Sequence, residues 1–141
     1  MIRVFLDANV LVAAAASPQG GSALLLEMGK KSLLEIISSH LALLEAERNI
    51  RKKLPPHAVT RFHRLLKETP LLIVPAPSRE EIHRHHAVIN EKDAPILAAA
   101  IGSKANYLVT LDQRDFMTEK IRRARLPLEI VTPKEFFNIK L

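Results

Sequence analysis

Tyr107-Leu108-Val109-Thr110-Leu111-Asp112 is an apolar, β-branched run that ends on a carboxylate, and Ile2-Arg3-Val4-Phe5-Leu6-Asp7 repeats the pattern near the start of the chain. Each reads as a short buried strand closed by an aspartate. Between them, helical and strand-like segments alternate. That alternation predicts a three-layer α/β/α architecture: a mostly parallel central sheet with helices on both faces. In such sheets ligands bind in the crevice outside the carboxyl ends of the strands. Asp7 and Asp112 are therefore expected at one rim, where two carboxylates repel unless a cation or proton neutralises them.

The rest of the chain fills in the alternation. Val10 to Ala16 predicts a helix, broken at Ser17-Pro18-Gln19-Gly20-Gly21. Ser22 is the expected N-cap of a helix to Met28, with Gly29 as its C-cap. A strand is expected from Leu33 to Ser38. A helix opening on Ser39 then runs to Leu54, stopped by Pro55-Pro56, and a basic helix covers His57 to Glu68. Leu71 to Val74 reads as a strand. Ser78 with Glu81 three residues on forms a capping box opening a helix to Ile89. Asp93 opens another helix, with Pro95 tolerated in its first turn. After the 107–111 strand come a basic helical stretch, a strand from Leu128 to Val131 and a helix from Pro133.

With 141 residues, 48% of them hydrophobic and 26% charged, the chain fits one globular domain over residues 1–141 with a real core. It contains no cysteine, which excludes disulfides and thiolate zinc sites. No targeting pattern and no membrane-spanning apolar run are legible, so a cytoplasmic location with no membrane contact is expected. The net charge of +6 is unevenly spread. From Arg48 to Lys67 the charged residues are all basic: Arg48, Arg51, Lys52, Lys53, Arg61, Arg64 and Lys67. A second cluster is Lys120, Arg122, Arg123 and Arg125. Such patches attract polyanions, although surface helices carry solvated charge for no other reason than solubility.

Five acids are candidates for chemistry: Asp7, Glu45, Asp93, Asp112 and Asp115. Each has a plain structural reading as a turn, cap or helix-surface residue. Topology sets them apart as a group. The helix begun by Asp93 leads into the 107–111 strand and runs antiparallel to it, so its N-terminus lies at the rim that carries Asp112. Glu45, two turns into the helix that follows the second strand, leans over the same rim. Clustered hard oxygen donors suit Mg²⁺ or Mn²⁺, and such ions support phosphoryl chemistry. Asn9 and Thr110 are placed to orient the acids or a metal-bound water.

Over nearly its whole length the sequence resembles PIN-domain (PilT N-terminus) ribonucleases, in particular the toxin-like bacterial and archaeal members. The resemblance lies in Phe5-Leu6-Asp7-Ala8-Asn9-Val10-Leu11, in Ser39 with Glu45, in Lys92-Asp93-Ala94-Pro95-Ile96-Leu97-Ala98-Ala99-Ala100, and in Leu108-Val109-Thr110-Leu111-Asp112-Gln113-Arg114-Asp115-Phe116. It implies a PIN-like fold and Mg²⁺- or Mn²⁺-dependent cleavage of RNA. Asp7, Glu45, Asp93 and Asp112 would be the metal-binding catalytic set and Asp115 an auxiliary acid. It also implies a small antitoxin protein and a homodimer as partners. Glu47 stands two residues from Glu45 and points about 200° away on a helix, so only one of the two can face the site. RNA contacts are expected from Arg48, Arg51, Lys52, Lys53, Arg61 and Arg64.

Two other readings compete. A phosphohydrolase working through an aspartyl-phosphate on Asp7 would want a second aspartate where Asn9 stands. A non-catalytic nucleic-acid- or partner-binding domain of PIN-like fold would keep the acids only as caps. His83 and His86, one turn apart, invite a metal reading, but Arg84 lies between them. A solvated helix facing RNA suits them better.

Overall fold

The computed structural model describes residues 1–140. Val4, Phe5 and Leu6 are fully buried because their strand, β1 (Arg3–Leu6), occupies the middle of the sheet. A strand covered on both faces needs apolar side chains at successive positions, and each such side chain contributes about 1.5–3 kcal/mol when buried. The other elements follow in order: α1 (Ala8–Ala16), α2 (Gly21–Lys30), β2 (Glu35–Ser39), α3 (His40–Lys53), α4 (Pro56–Glu68), β3 (Leu71–Val74), α5 (Arg79–His83), α6 (Ala94–Gly102), β4 (Tyr107–Val109), α7 (Gln113–Phe116), α8 (Glu119–Arg123), β5 (Glu129–Val131) and α9 (Pro133–Lys140).

The sheet order is β3-β2-β1-β4-β5, and every pairing is parallel. The chain moves outward from β1 to β3, then crosses back to β4 and β5. This reversal creates a switch point between β1 and β4, whose register pairs Leu6 with Val109. Crossovers of the usual right hand put α1 to α4 on one face and α5 to α8 on the other. The α6 helix is buried along most of its length through Ala94, Ile96, Leu97, Ala98, Ala99 and Ala100, whose mostly small side chains let it lie close to the strands. Phe136 of α9 closes the core edge-on against Tyr107. No single helix among the described residues is long and apolar enough to cross a membrane.

The expected elements are present, with shifted ends that have physical causes. The first helix begins at Ala8 rather than Val10, because the Asp7 carboxylate caps it. The 107–111 strand stops at Val109: the Leu111 amide donates to Asn9 Oδ1 and the Asp112 amide to Thr110 Oγ1, which turns the chain out of the ladder. The helix expected to reach Ile89 ends at His83. The His86 ring nitrogen bonds the His83 carbonyl, competing with the helical ladder, and the chain continues in short turns.

The second helix starts two residues early, with Gly20 rather than Ser22 as N-cap, and Gly29 lies inside it rather than capping it. The Ile36 side chain fills the space that a Cβ on Gly29 would need. The left-handed residue that ends the helix is Ser32, at φ 61°. Lys104 and Arg125 do the same after α6 and α8, at φ 61° and 49°. Non-glycine residues in this conformation each cost roughly 1–2 kcal/mol. Two opposite outcomes follow in urea melts: Gly29→Ala is expected to destabilise by about 1–3 kcal/mol through overpacking, and Ser32→Gly to stabilise by about 1 kcal/mol.

Candidate metal centre

Register places Asp7 beside Thr110 at the end of the two central strands. Asp7 is only 5% exposed. One carboxylate oxygen, Oδ1, accepts from the Ala8 amide at 2.7 Å; the other, Oδ2, accepts from Thr110 Oγ1 at 2.8 Å and Asn9 Nδ2 at 3.3 Å. Asn9 Nδ2 also donates to Thr110 Oγ1 at 3.2 Å, and Asn9 Oδ1 accepts from the Leu111 amide at 3.0 Å. Asn9 and Thr110 therefore stitch the β1–α1 corner to the loop after β4.

Burial pushes the Asp7 carboxyl up from its ordinary 3.8 to about 6, against the hydrogen bonds from Thr110 and Ala8, and the negative charges of Glu45 and Asp93 push the same way. Those charges are felt because both acids stand near this corner.

Asp93, Asp112 and Asp115 come closest together: one carboxylate oxygen from each lies within 4.8 Å of the other two. Asp112 is held as the cap of α7, its Oδ1 accepting from the Asp115 amide at 3.0 Å. Asp93 occupies the N-cap position of α6 but makes no side-chain cap bond. Its carboxylate is instead held by Asn90, whose Nδ2 donates to Asp93 Oδ2 at 2.9 Å and whose Oδ1 accepts from the Asp93 amide at 3.0 Å. The plain reading of Asp93 as an ordinary capping residue therefore does not fit. Partial desolvation first, then the neighbouring charge and hydrogen bond of Asp112 and the charge of Asp93, hold the Asp115 carboxyl above its usual range.

The sequence-derived acids thus converge, with a changed emphasis. Asp115, expected as an auxiliary, belongs to the tight triad. Asp7 and Glu45 flank that triad without entering the same 4.8 Å circle. Glu47 is turned away: it pairs with Arg51 at 3.2 Å and His63 at 2.8 Å, bridging α3 to α4. Of the two glutamates it is Glu45 whose charge reaches Asp7. Asn90 was missed by sequence reasoning; its only signal is an asparagine three residues before Asp93, the spacing of an Asx-type turn.

Three half-buried carboxylates at this separation offer only hard oxygen donors and no soft ones, which fits Mg²⁺, Mn²⁺ or Ca²⁺ chemistry rather than a structural zinc site. The histidines contribute no such site: His83 and His86 stack ring on ring at 4.1 Å and 16°.

The basic residues are dispersed. Arg48, Lys52, Lys53 and Arg64 are exposed. Arg51 is engaged by Glu47, and Arg61 Nε donates to the Ala14 carbonyl at 3.4 Å. Arg48 lies one turn from Glu45, whereas Lys52 and Lys53 sit about 10–12 Å from Glu45 along the α3 axis.

Comparison with known proteins accords with this geometry. Residues 3–114 match the family model described as PIN domain, and the chain belongs to the PIN domain family. No curated protein matches it. Among solved structures it is similar to VapBC2 from Rickettsia felis, a structure bound to a DNA fragment from their promoter, at 18% identity and TM-score 0.63, covering 92% of this chain and 97% of that one. It is similar to PAE2754 from Pyrobaculum aerophilum at 19% identity and TM-score 0.61, covering 98% and 89%. FitAcB from Neisseria gonorrhoeae matches at 17% identity and TM-score 0.62, covering 93% and 98%. At these identities the likeness is one of fold.

The raised Asp7 pKa has a signed consequence in chelated protein. Between about pH 4 and pH 6 the unfolded carboxyl has ionised while the folded one still holds its proton, so stability falls as pH rises through this window. The loss reaches about 3 kcal/mol by pH 7. Asp7→Asn is expected to flatten that slope and to be the more stable protein at pH 7 by about 1–3 kcal/mol, as read by urea denaturation across the pH range in EDTA.

Proposed function

We propose that this chain is an Mg²⁺- or Mn²⁺-dependent endoribonuclease that hydrolyses RNA phosphodiester bonds, acting as the toxin component of a toxin–antitoxin pair. The observation that carries this reading is the Asp93–Asp112–Asp115 triad beside buried Asp7 at the switch point of the sheet. Asp93, Asp112 and Asp115 would hold the cation, with Asp7 and Glu45 adding charge beside it. A divalent ion held there lowers the pKa of a bound water and stabilises charge on a phosphoryl oxygen.

The remaining work belongs to the chain's own side chains. Thr110 and Asn9 fix both the position and the hydrogen-bonding state of Asp7 Oδ2. Asn90 keeps the Asp93 carboxylate aimed at the triad instead of at its own helix. Arg48, nearest the acids among the exposed cations of α3, would hold the phosphate backbone, with Arg64, Lys52 and Lys53 extending that track.

Family membership supports the nuclease chemistry. The toxin role, a small antitoxin partner, a homodimer and a cytoplasmic setting rest on the resemblance to toxin-like members, and the VapBC2 and FitAcB folds are consistent with them.

The direct test is cleavage of mixed cellular RNA. Wild type should cut with Mn²⁺ or Mg²⁺ and stop with EDTA. Asp112→Asn and Asp93→Asn should each lose about 10²–10³-fold in rate, an expectation scaled from the loss of one preorganised charge-stabilising group, while remaining folded by circular dichroism. Metal-independent cutting, or full activity in both variants, would overturn the assignment; retention of RNA without any cutting would favour a binding domain. For the basic track, Arg48→Ala should lower the log–log salt slope of RNA binding by about 0.7, and Lys53→Ala by less.

A further inference from the structure

Beside the triad lies an open cleft of about 580 Å³, to most of whose lining the proposed chemistry gives no role. Its size falls within the ~300–1,000 Å³ of small-ligand sites. Two residues join it to the acids: Asp115 is both a triad member and a wall of the cleft, and Asn90, which holds Asp93, lines it too. Ile89, buried, and half-buried Val88 give it an apolar surface. On one side stands His86, braced ring-on-ring by His83. On another stands Lys120, an exposed cation with no acidic partner among the described residues. Its sequence neighbours differ: Arg122 and Arg123 are drawn to Glu119 at 3.1 and 4.0 Å, which also neutralises the one other acid in the cleft wall.

We propose that this cleft is a nucleotide pocket that seats one base and one phosphate of a single-stranded polynucleotide, the base against His86 and the apolar wall, the phosphate on Lys120. An aromatic ring with apolar surroundings and one uncommitted cation is the combination that takes a base and its phosphate together. Resting on the nuclease reading, the pocket holds the nucleotide next to the cut bond and sets which bond is cut. It also gives the His83-Arg84-His85-His86 run a use that metal binding does not.

The experiment measures equilibrium binding of fluorescent single-stranded oligoribonucleotides and oligodeoxyribonucleotides to the full chain in EDTA, by anisotropy, and maps cleavage of a randomised RNA pool with Mn²⁺. His86→Ala and Lys120→Ala should each weaken binding roughly tenfold. Lys31→Ala, an equal charge change on the turn before β2 at the opposite edge of the sheet, should not. The nucleotide preference at the cut site should flatten in His86→Ala, while Mn²⁺-dependent hydrolysis of bis(p-nitrophenyl) phosphate stays within about twofold of wild type. Weaker binding only of the ribo-oligomer, or of both oligomers, supports the pocket and tells which polymer it takes. Loss of binding in the variants of a protein that cuts nothing keeps the pocket and removes the nuclease. Failure of both oligomers to bind wild type, or equal binding by wild type and both variants, overturns the pocket whatever the cleavage result.

Discussion

The buried carboxylate of Asp7 is the constraint on which the rest of the rim depends. It ends the central strand, caps the first helix and anchors the neighbouring strand through Thr110, all with two oxygen atoms. Desolvation makes its charge expensive, and the nearby acids add to that expense. A fold selected only for stability would place an asparagine or serine there. A charge kept where it destabilises the bare protein marks a place where strain is held for function, and a hard cation is the partner that relieves it.

The same logic orders the surrounding residues. Asp93 could bond its own helix but is held by Asn90 in a different direction. Asp112 both caps α7 and brings Asp115 into range. Backbone turns that might otherwise satisfy these side chains locally are used to aim them at one point. The cleft beyond Asp115 continues that rim toward α8, so that acids, an aromatic ring and a free lysine form one continuous edge.

Much of this was legible in the sequence. Apolar runs ending in aspartate gave the strands, and the alternation of elements gave the sheet. The antiparallel sense of α6 against β4 placed Asp93 with Asp112 before any coordinates. What stayed hidden depends on contacts distant in sequence or on rotation about a helix. Gly29 looked like a helix end because glycine usually is one, but Ile36 required its lack of a side chain. Glu45 and Glu47 could be separated only once His63 on the neighbouring helix claimed Glu47. Asp115 was an auxiliary acid by resemblance alone, and the single turn of α7 that sets it beside Asp112 is too short to show periodicity. The run from Arg48 to Lys67, read as a basic cluster over two helices, is partly spent on Glu47 and the Ala14 carbonyl, contacts no local pattern shows.

The central claim is that acids far apart in sequence share a hard cation at one rim. Calorimetric titration of Mn²⁺ into wild type and Asp112→Asn, in two buffers of different ionisation heat at pH 6, measures it most directly. The account expects saturable binding by wild type with release of protons from Asp7, and loss of that binding in the variant. Wild-type heats indistinguishable from those of Asp112→Asn, or binding with no proton release, would contradict it.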